Sequence, residues 1–197
     1  MKAFVCKQEA PSAFLFSRYD LPRVLPSTRL AQQGRILAYW MDAGWGDLIK
    51  ENKGKDYFCD ELVDAMANMI VHDWIPRLRP MWTGTGWVTS VPSNRHSLVP
   101  NFAERLAERL LLPYKSAVVK ADDHAPQKSQ KNNYHRCSNL DGTFQVRKQQ
   151  VHQGCPVLLV DDIVRSTWTM TVIAALLQEA GSGPVFPCAL ARIVSED

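Results

Sequence analysis

Val157-Leu158-Leu159-Val160-Asp161-Asp162-Ile163-Val164-Arg165-Ser166-Thr167-Trp168-Thr169 is the stretch from which the fold is read. Its opening is a continuous apolar run, the pattern of a strand buried on both faces, as in parallel sheets. The run is expected to end in the two carboxylates. A short polar turn then leads into Thr169 to Ala180, where Val172, Ile173, Leu176 and Leu177 recur at helix spacing and Gly181 stands in the C′ position. The unit is strand, loop, helix. In open α/β sheets ligands bind outside the carboxyl ends of the strands, and the unpaired amides of a helix start form an anion site reinforced by the macrodipole. A phosphate suits the turn. Two adjacent carboxylates repel that phosphate but accept hydrogen bonds from sugar hydroxyls one ribose length away. A phosphorylated ribose satisfies both halves.

Working outward, short β-branched runs alternate with helical ones from Gly86 onward, the signature of βα units and an α/β fold with a mostly parallel sheet flanked by helices. Gly86 to Val91, Ala117 to Lys120 and Val185 to Ala191 read as strands. Asn101 to Leu112 reads as a helix, with Asn101 and Glu104 in capping-box relation. Upstream, to about Met81, the spacing is helical in Leu30 to Trp45 and again in Asp60 to Trp74, with no parallel-strand signal. Residues 1–82 are therefore expected to form a helical cap, and 83–197 the core. In the second stretch Leu62, Met66, Met69 and Ile70 form a core stripe, Asp60 is placed as N-cap and Pro76 lies beyond the end. Trp40, Trp45, Trp74 and Trp82 are read as packing anchors, with a wall for a base, built from three of them, as the alternative.

The bulk numbers fit one domain. The 197 residues are 46% hydrophobic and 22% charged, close to the globular average, which suggests neither disorder nor a membrane class. No apolar stretch approaches the ~20 residues of a bilayer span, so a cytoplasmic location is expected and no membrane partner. The five cysteines, Cys6, Cys59, Cys137, Cys155 and Cys188, are odd in number and form no C-x-x-C pair. They are read as reduced thiols. The net charge of +3 does not by itself mark a nucleic-acid binder, but between Lys115 and Gln150 seven Lys/Arg face three Asp. That segment attracts an anion. From Ala121 to Gly142 it carries almost no apolar pattern, as in lids or disordered insertions.

The run from Val157 to Thr169 resembles the PRPP-binding motif of type I phosphoribosyltransferases: four apolar residues, two acids and a Thr/Ser/Gly-rich loop. The resemblance implies that fold, with the N-terminal cap as its hood, and implies that Asp161 and Asp162 hold the ribose hydroxyls. Arg165, Ser166, Thr167, Trp168 and Thr169 would form the 5-phosphate loop. The family usually has Gly where Thr167 stands, and often Thr where Arg165 stands. A Cβ at position 167 can hinder close backbone approach to the phosphate, whereas Arg165 can add a charge-assisted contact.

Val88-Thr89-Ser90-Val91-Pro92-Ser93-Asn94-Arg95 resembles the first core strand and the pyrophosphate loop, with Ser93, Asn94 and Arg95 at the diphosphate. The stretch Lys120 to Phe144 resembles the flexible loop of the ComF-like branch. Lys120 and Lys128 would then act catalytically beside Asp161 and Asp162, covering the diphosphate while water is excluded. Magnesium would be held mainly through PRPP, with Asp161 and Asp162 as added ligands.

From about Trp40 to Ala191 the chain is similar to the phosphoribosyltransferase domain appended to certain bacterial RecQ-type DNA helicases. Asp42-Ala43-Gly44-Trp45-Gly46, Pro126-Gln127-Lys128 and Asn139-Leu140-Asp141-Gly142 carry part of that likeness. The implied partners are PRPP, a nitrogenous acceptor, a DNA helicase or other DNA-acting protein, and a second copy of the chain as a homodimer. Two competing classes stand beside the enzyme: a non-catalytic PRPP or nucleotide sensor serving a DNA-acting partner, and a nucleic-acid-binding protein.

Overall fold

The computed structural model describes residues 2–9, 19–78, 85–92, 97–120 and 144–193. Its main sheet contains β1 (Lys2–Phe4), β2 (Gly34–Tyr39), β3 (Trp87–Ser90), β6 (Val157–Val164) and β7 (Val185–Arg192), in the order β1-β2-β7-β6-β3. Strands β2, β7, β6 and β3 run parallel, and β1 is antiparallel at one edge. The expected α/β architecture is observed. Strands β6 and β7 occupy the interior because they can: Val157 to Val160 and Val185 to Ala191 are buried throughout, and only side chains without charge tolerate burial on both faces.

Helix α5 (Trp168–Glu179) covers one face of the sheet, where Val172 and Ile173 meet Val157 and Leu159. Helices α1 (Trp45–Gly54), α2 (Asp60–Asn68) and α4 (Leu98–Arg109) cover the other. There the expected stripe of Leu62, Met66, Met69 and Ile70 packs with Phe102, Leu158, Val160 and Phe186. Gly181 ends α5 as expected: its φ is +102°, its N–H donates to the Gln178 carbonyl at 3.0 Å, and the Ser182 N–H donates to the Leu177 carbonyl at 3.0 Å. Those two bonds satisfy carbonyls the helix would otherwise leave open.

Several expectations are corrected. The stretch Leu30 to Trp45 is not one helix, because Gly34–Tyr39 is β2, paired in register with β7 from Arg35↔Cys188 to Tyr39↔Arg192. Its burial alternates with period two, and backbone pairing to β7 outweighed the helical spacing. Residues before Met81 thus supply two strands to the sheet as well as helices. Asp60 is the first residue of α2, whose N-cap is Cys59. The helical path does not stop before Pro76: a π turn, Met69–Trp74, carries it into α3 (Ile75–Leu78). Proline lacks an N–H and crowds the carbonyl four residues earlier, and the widened turn upstream relieves that conflict. Similarly α4 starts at Leu98, with Pro100 inside its first turn, where a missing N–H costs nothing.

Strands β4 (Val118–Lys120) and β5 (Phe144–Val146) form a separate antiparallel ribbon, with Lys120 opposite Phe144. The two ends of the segment read as a lid are therefore held side by side. Helix α1 packs on both β2 and β7, so it crosses neighbouring strands. Gly46 permits this seat, since a Cβ there would lie 2.6 Å from the Tyr39 carbonyl oxygen. Among the described residues no helix is long and apolar enough to cross a membrane, and Cys6, Cys59, Cys155 and Cys188 are free.

Candidate functional site

The two acids lie within β6, which continues to Val164 instead of ending at them. Pairing with β7 carries the strand on, through Asp161↔Ala189 and as far as Val164↔Arg192. The Asp161 carboxylate accepts the Asp162 N–H through Oδ1 at 2.9 Å, and Asp162 Oδ1 accepts the Ile163 N–H at 2.7 Å. Asp162 Oδ2 accepts from Lys53 Nζ at 2.5 Å. Three residues then separate the strand from α5. Arg165 and Ser166 are exposed, and Thr167 is buried as the N-cap.

The cap leaves the helix start open, as the caps of α1, α2 and α4 also do. Thr167 makes no side-chain cap hydrogen bond, and its Oγ1 is buried without a hydrogen-bond partner. Its carbonyl instead accepts the Thr171 N–H at 2.9 Å and the Thr171 hydroxyl at 2.8 Å. A helix N-terminus whose cap residue does not take up its amides keeps donors for an anion. The Thr167 φ of −82° lies in the ordinary region, so a threonine stands here without backbone strain. Lys7 N–H donates to Thr171 Oγ1 at 3.1 Å, seating the N-terminal segment against the first turns of α5.

Burial, and after it the charge of Asp162, holds the Asp161 carboxyl well above the ordinary 3.8; the Asp162 amide and the Lys53 charge oppose that rise. Burial also pushes the Cys188 thiol up to about 12, with the Asp161 charge adding to it. An acid with a raised folded pKa favours the fold below its unfolded value and loses that contribution as pH rises through the folded value. Ionising Asp161 therefore opposes folding near neutrality. Asp161→Asn, which can still accept the Asp162 N–H, is expected to raise the thermal midpoint at about pH 7. The gap to the wild type should narrow as pH falls into the ordinary carboxyl range. A variant less stable than wild type at neutral pH, or a gap indifferent to pH, contradicts this.

The remaining expected residues are placed as follows. Trp168 opens α5 and Thr169 is its second residue. Lys120 ends β4, in the ribbon and not in the strand layer that carries the acids. Ser93, Asn94, Arg95 and Lys128 lie outside the described residues. The strand that leads to the first three is β3, where Ser90 is level with Val160 and the Val91 N–H donates to the Val160 carbonyl at 2.8 Å. The chain thus leaves β3 beside the acidic pair. Among the described residues no group of three or more His, Cys, Asp or Glu side chains could hold a metal ion.

Sequence reasoning missed Lys53, which lies 109 residues from its partner. A lysine on the exposed side of a helix end carries no signal of a distant carboxylate. It also missed Tyr114, whose hydroxyl is 2.9 Å from Ser90 Oγ at the end of β3. Of the tryptophans, Trp74 is buried edge-on against Phe186, while Trp45 lines a groove of about 450 Å3 with Leu37, Asn68, Met69 and His72. That groove lies by the start of α1, about 12 Å of helix from Lys53; it is distinct from the acidic pair.

The fold has likenesses among solved structures. The adenine phosphoribosyltransferase of Saccharomyces cerevisiae, solved with adenine, is 16% identical, with 74% of this chain and 72% of that one covered and a TM-score of 0.47. The adenine phosphoribosyltransferase of Leishmania donovani is 15% identical over 70% of this chain and 69% of its own, with a TM-score of 0.45. The glutamine PRPP amidotransferase of B. subtilis, complexed with ADP and GMP, is 22% identical with a TM-score of 0.40; the match covers 72% of this chain but 26% of that one. No protein-family model and no curated protein sequence matches the chain.

Proposed function

We propose that the chain binds PRPP and transfers its phosphoribosyl group to a nitrogenous acceptor, releasing pyrophosphate, as type I phosphoribosyltransferases do. One observation supports this reading: two carboxylates on β6 are joined to the N-terminus of α5, whose cap residue makes no side-chain cap hydrogen bond, by only five residues, Ile163 to Thr167. A pentose 5-phosphate offers hydroxyls to the acids and a phosphate to the amides. On this reading Asp161 and Asp162 accept hydrogen bonds from the ribose hydroxyls. Ser166, Thr167, Trp168 and Thr169 hold the phosphate, and Arg165 adds a charged donor. Ser93, Asn94 and Arg95 meet the diphosphate, and Lys120 and Lys128 belong to the segment that closes over it.

The donor set suits magnesium that arrives with the diphosphate. Two carboxylates are hard oxygen ligands but too few for a cage, and Mg²⁺ is commonly held by one or two carboxylates plus substrate phosphates. Bound there, the ion would neutralise charge on the leaving diphosphate. The acids then serve the ring: positive charge that develops at the anomeric carbon is favoured by carboxylates fixed nearby. Residues 1–82 would act as the hood, since α1 spans β2 and β7 and reaches β6 through Lys53. A cytoplasmic setting, a homodimer and a DNA-acting partner of the kind served by the ComF-like and RecQ-appended domains belong to the same reading.

The test is pyrophosphate release from Mg²⁺-PRPP across a panel of purine, pyrimidine and other nitrogenous acceptors. Acceptor-dependent release is the expected result. Binding of PRPP by calorimetry with no release for any acceptor would replace the enzyme with a sensor, and absence of binding would remove the reading altogether.

A further inference from the structure

Lys53 stands in the last turn of α1, and the end of that helix is firmly held. Ile49 is fully buried, and Asn52, also buried, accepts the Cys59 N–H through Oδ1 at 2.6 Å while its carbonyl accepts the N–H groups of Lys55 and Tyr57. The lysine therefore projects from a fixed point. Its ammonium reaches past β7, on which α1 packs, to Asp162 on β6. The Asp162 side chain is 12% exposed and that of Lys53 40%, so the pair is sheltered on the acid's side and open to water on the lysine's.

Both oxygens of Asp162 are thereby held, Oδ1 by the Ile163 N–H and Oδ2 by Lys53. A carboxylate offers about four lone-pair sites, so these two bonds restrict its rotation and leave acceptor capacity for a diol. Orientation set before the ligand arrives is conformational freedom that binding need not remove. We propose that Lys53 is a positioning residue for the pentose: it fixes the Asp162 carboxylate and couples the seat of α1 to occupancy of the acidic pair. This rests on the phosphoribosyl reading given above.

Calorimetric titration of the full chain with ribose 5-phosphate tests it. Lys53→Met is expected to weaken binding about fivefold, the scale of a partly exposed ion pair, and Lys53→Arg to recover most of that loss. In an Asp162→Asn background, Lys53→Met should have no further effect, because the group it positions has lost its charge. Wild-type affinity in Lys53→Met, or an equal loss in both backgrounds, overturns the assignment while leaving the phosphoribosyl reading intact. If the wild-type chain does not bind ribose 5-phosphate, that reading fails and the role of Lys53 fails with it.

Discussion

Replacing Asp161 and Asp162 together by asparagine is expected to lower the affinity for ribose 5-phosphate on the order of a hundredfold or more, without lowering the thermal midpoint. Hydrogen bonds to a charged partner are worth about 1.5–3 kcal/mol each, and about 1.4 kcal/mol is a factor of ten, so losing two such acceptors sets the scale. Stability should move the other way. The two like charges are adjacent on one strand, Asp162 is buried, and burial already resists ionisation of Asp161. Lys53 offsets part of that cost, but from a side chain open to solvent. Calorimetry and thermal melts on the same preparation separate the two effects. A double variant that binds as the wild type does would show that these acids are not the pentose contact; one that unfolds would show that their role is to hold β6 in place.

Phe186→Ala is expected to cost about 3–5 kcal/mol of folding stability, the range for truncating a fully buried aromatic side chain. Phe186 is 0% exposed on β7, the strand between β2 and β6, and its ring meets Trp74 edge-on at 5.9 Å and 84°. Urea unfolding would show the loss as a lower midpoint with an unchanged slope. A loss under about 1 kcal/mol would mean that this layer relaxes freely, contrary to the density of protein interiors.

How far the molecule is legible in its sequence depends on how far apart the interacting residues are. Val157 to Val160 and Val185 to Ala191 are runs that only a doubly covered strand can hide, and they are the buried middle of the sheet. Helix α5 was readable from its apolar stripe and from Gly181, whose positive φ an L side chain rarely adopts. The acids, the turn and the helix start are contiguous, so their order alone brings carboxylates and open amides together. Harder to read were Gly34–Tyr39, Pro76 and Asp161–Asp162. The first has apolar residues at spacings compatible with a helix, the second reads as a stop, and the third reads as a strand end.

What the sequence by itself determined, then, is the strand, turn and helix on which the proposed pentose phosphate site rests, because local periodicity and backbone preference act over a few residues. The tertiary structure alone decided that β2 pairs with β7, that β6 runs on past its two acids, and that Lys53 meets Asp162 from 109 residues away. Those outcomes depend on hydrogen bonds and charges between distant segments. Their partners exist only once the sheet has formed, so no window of neighbouring residues contains them.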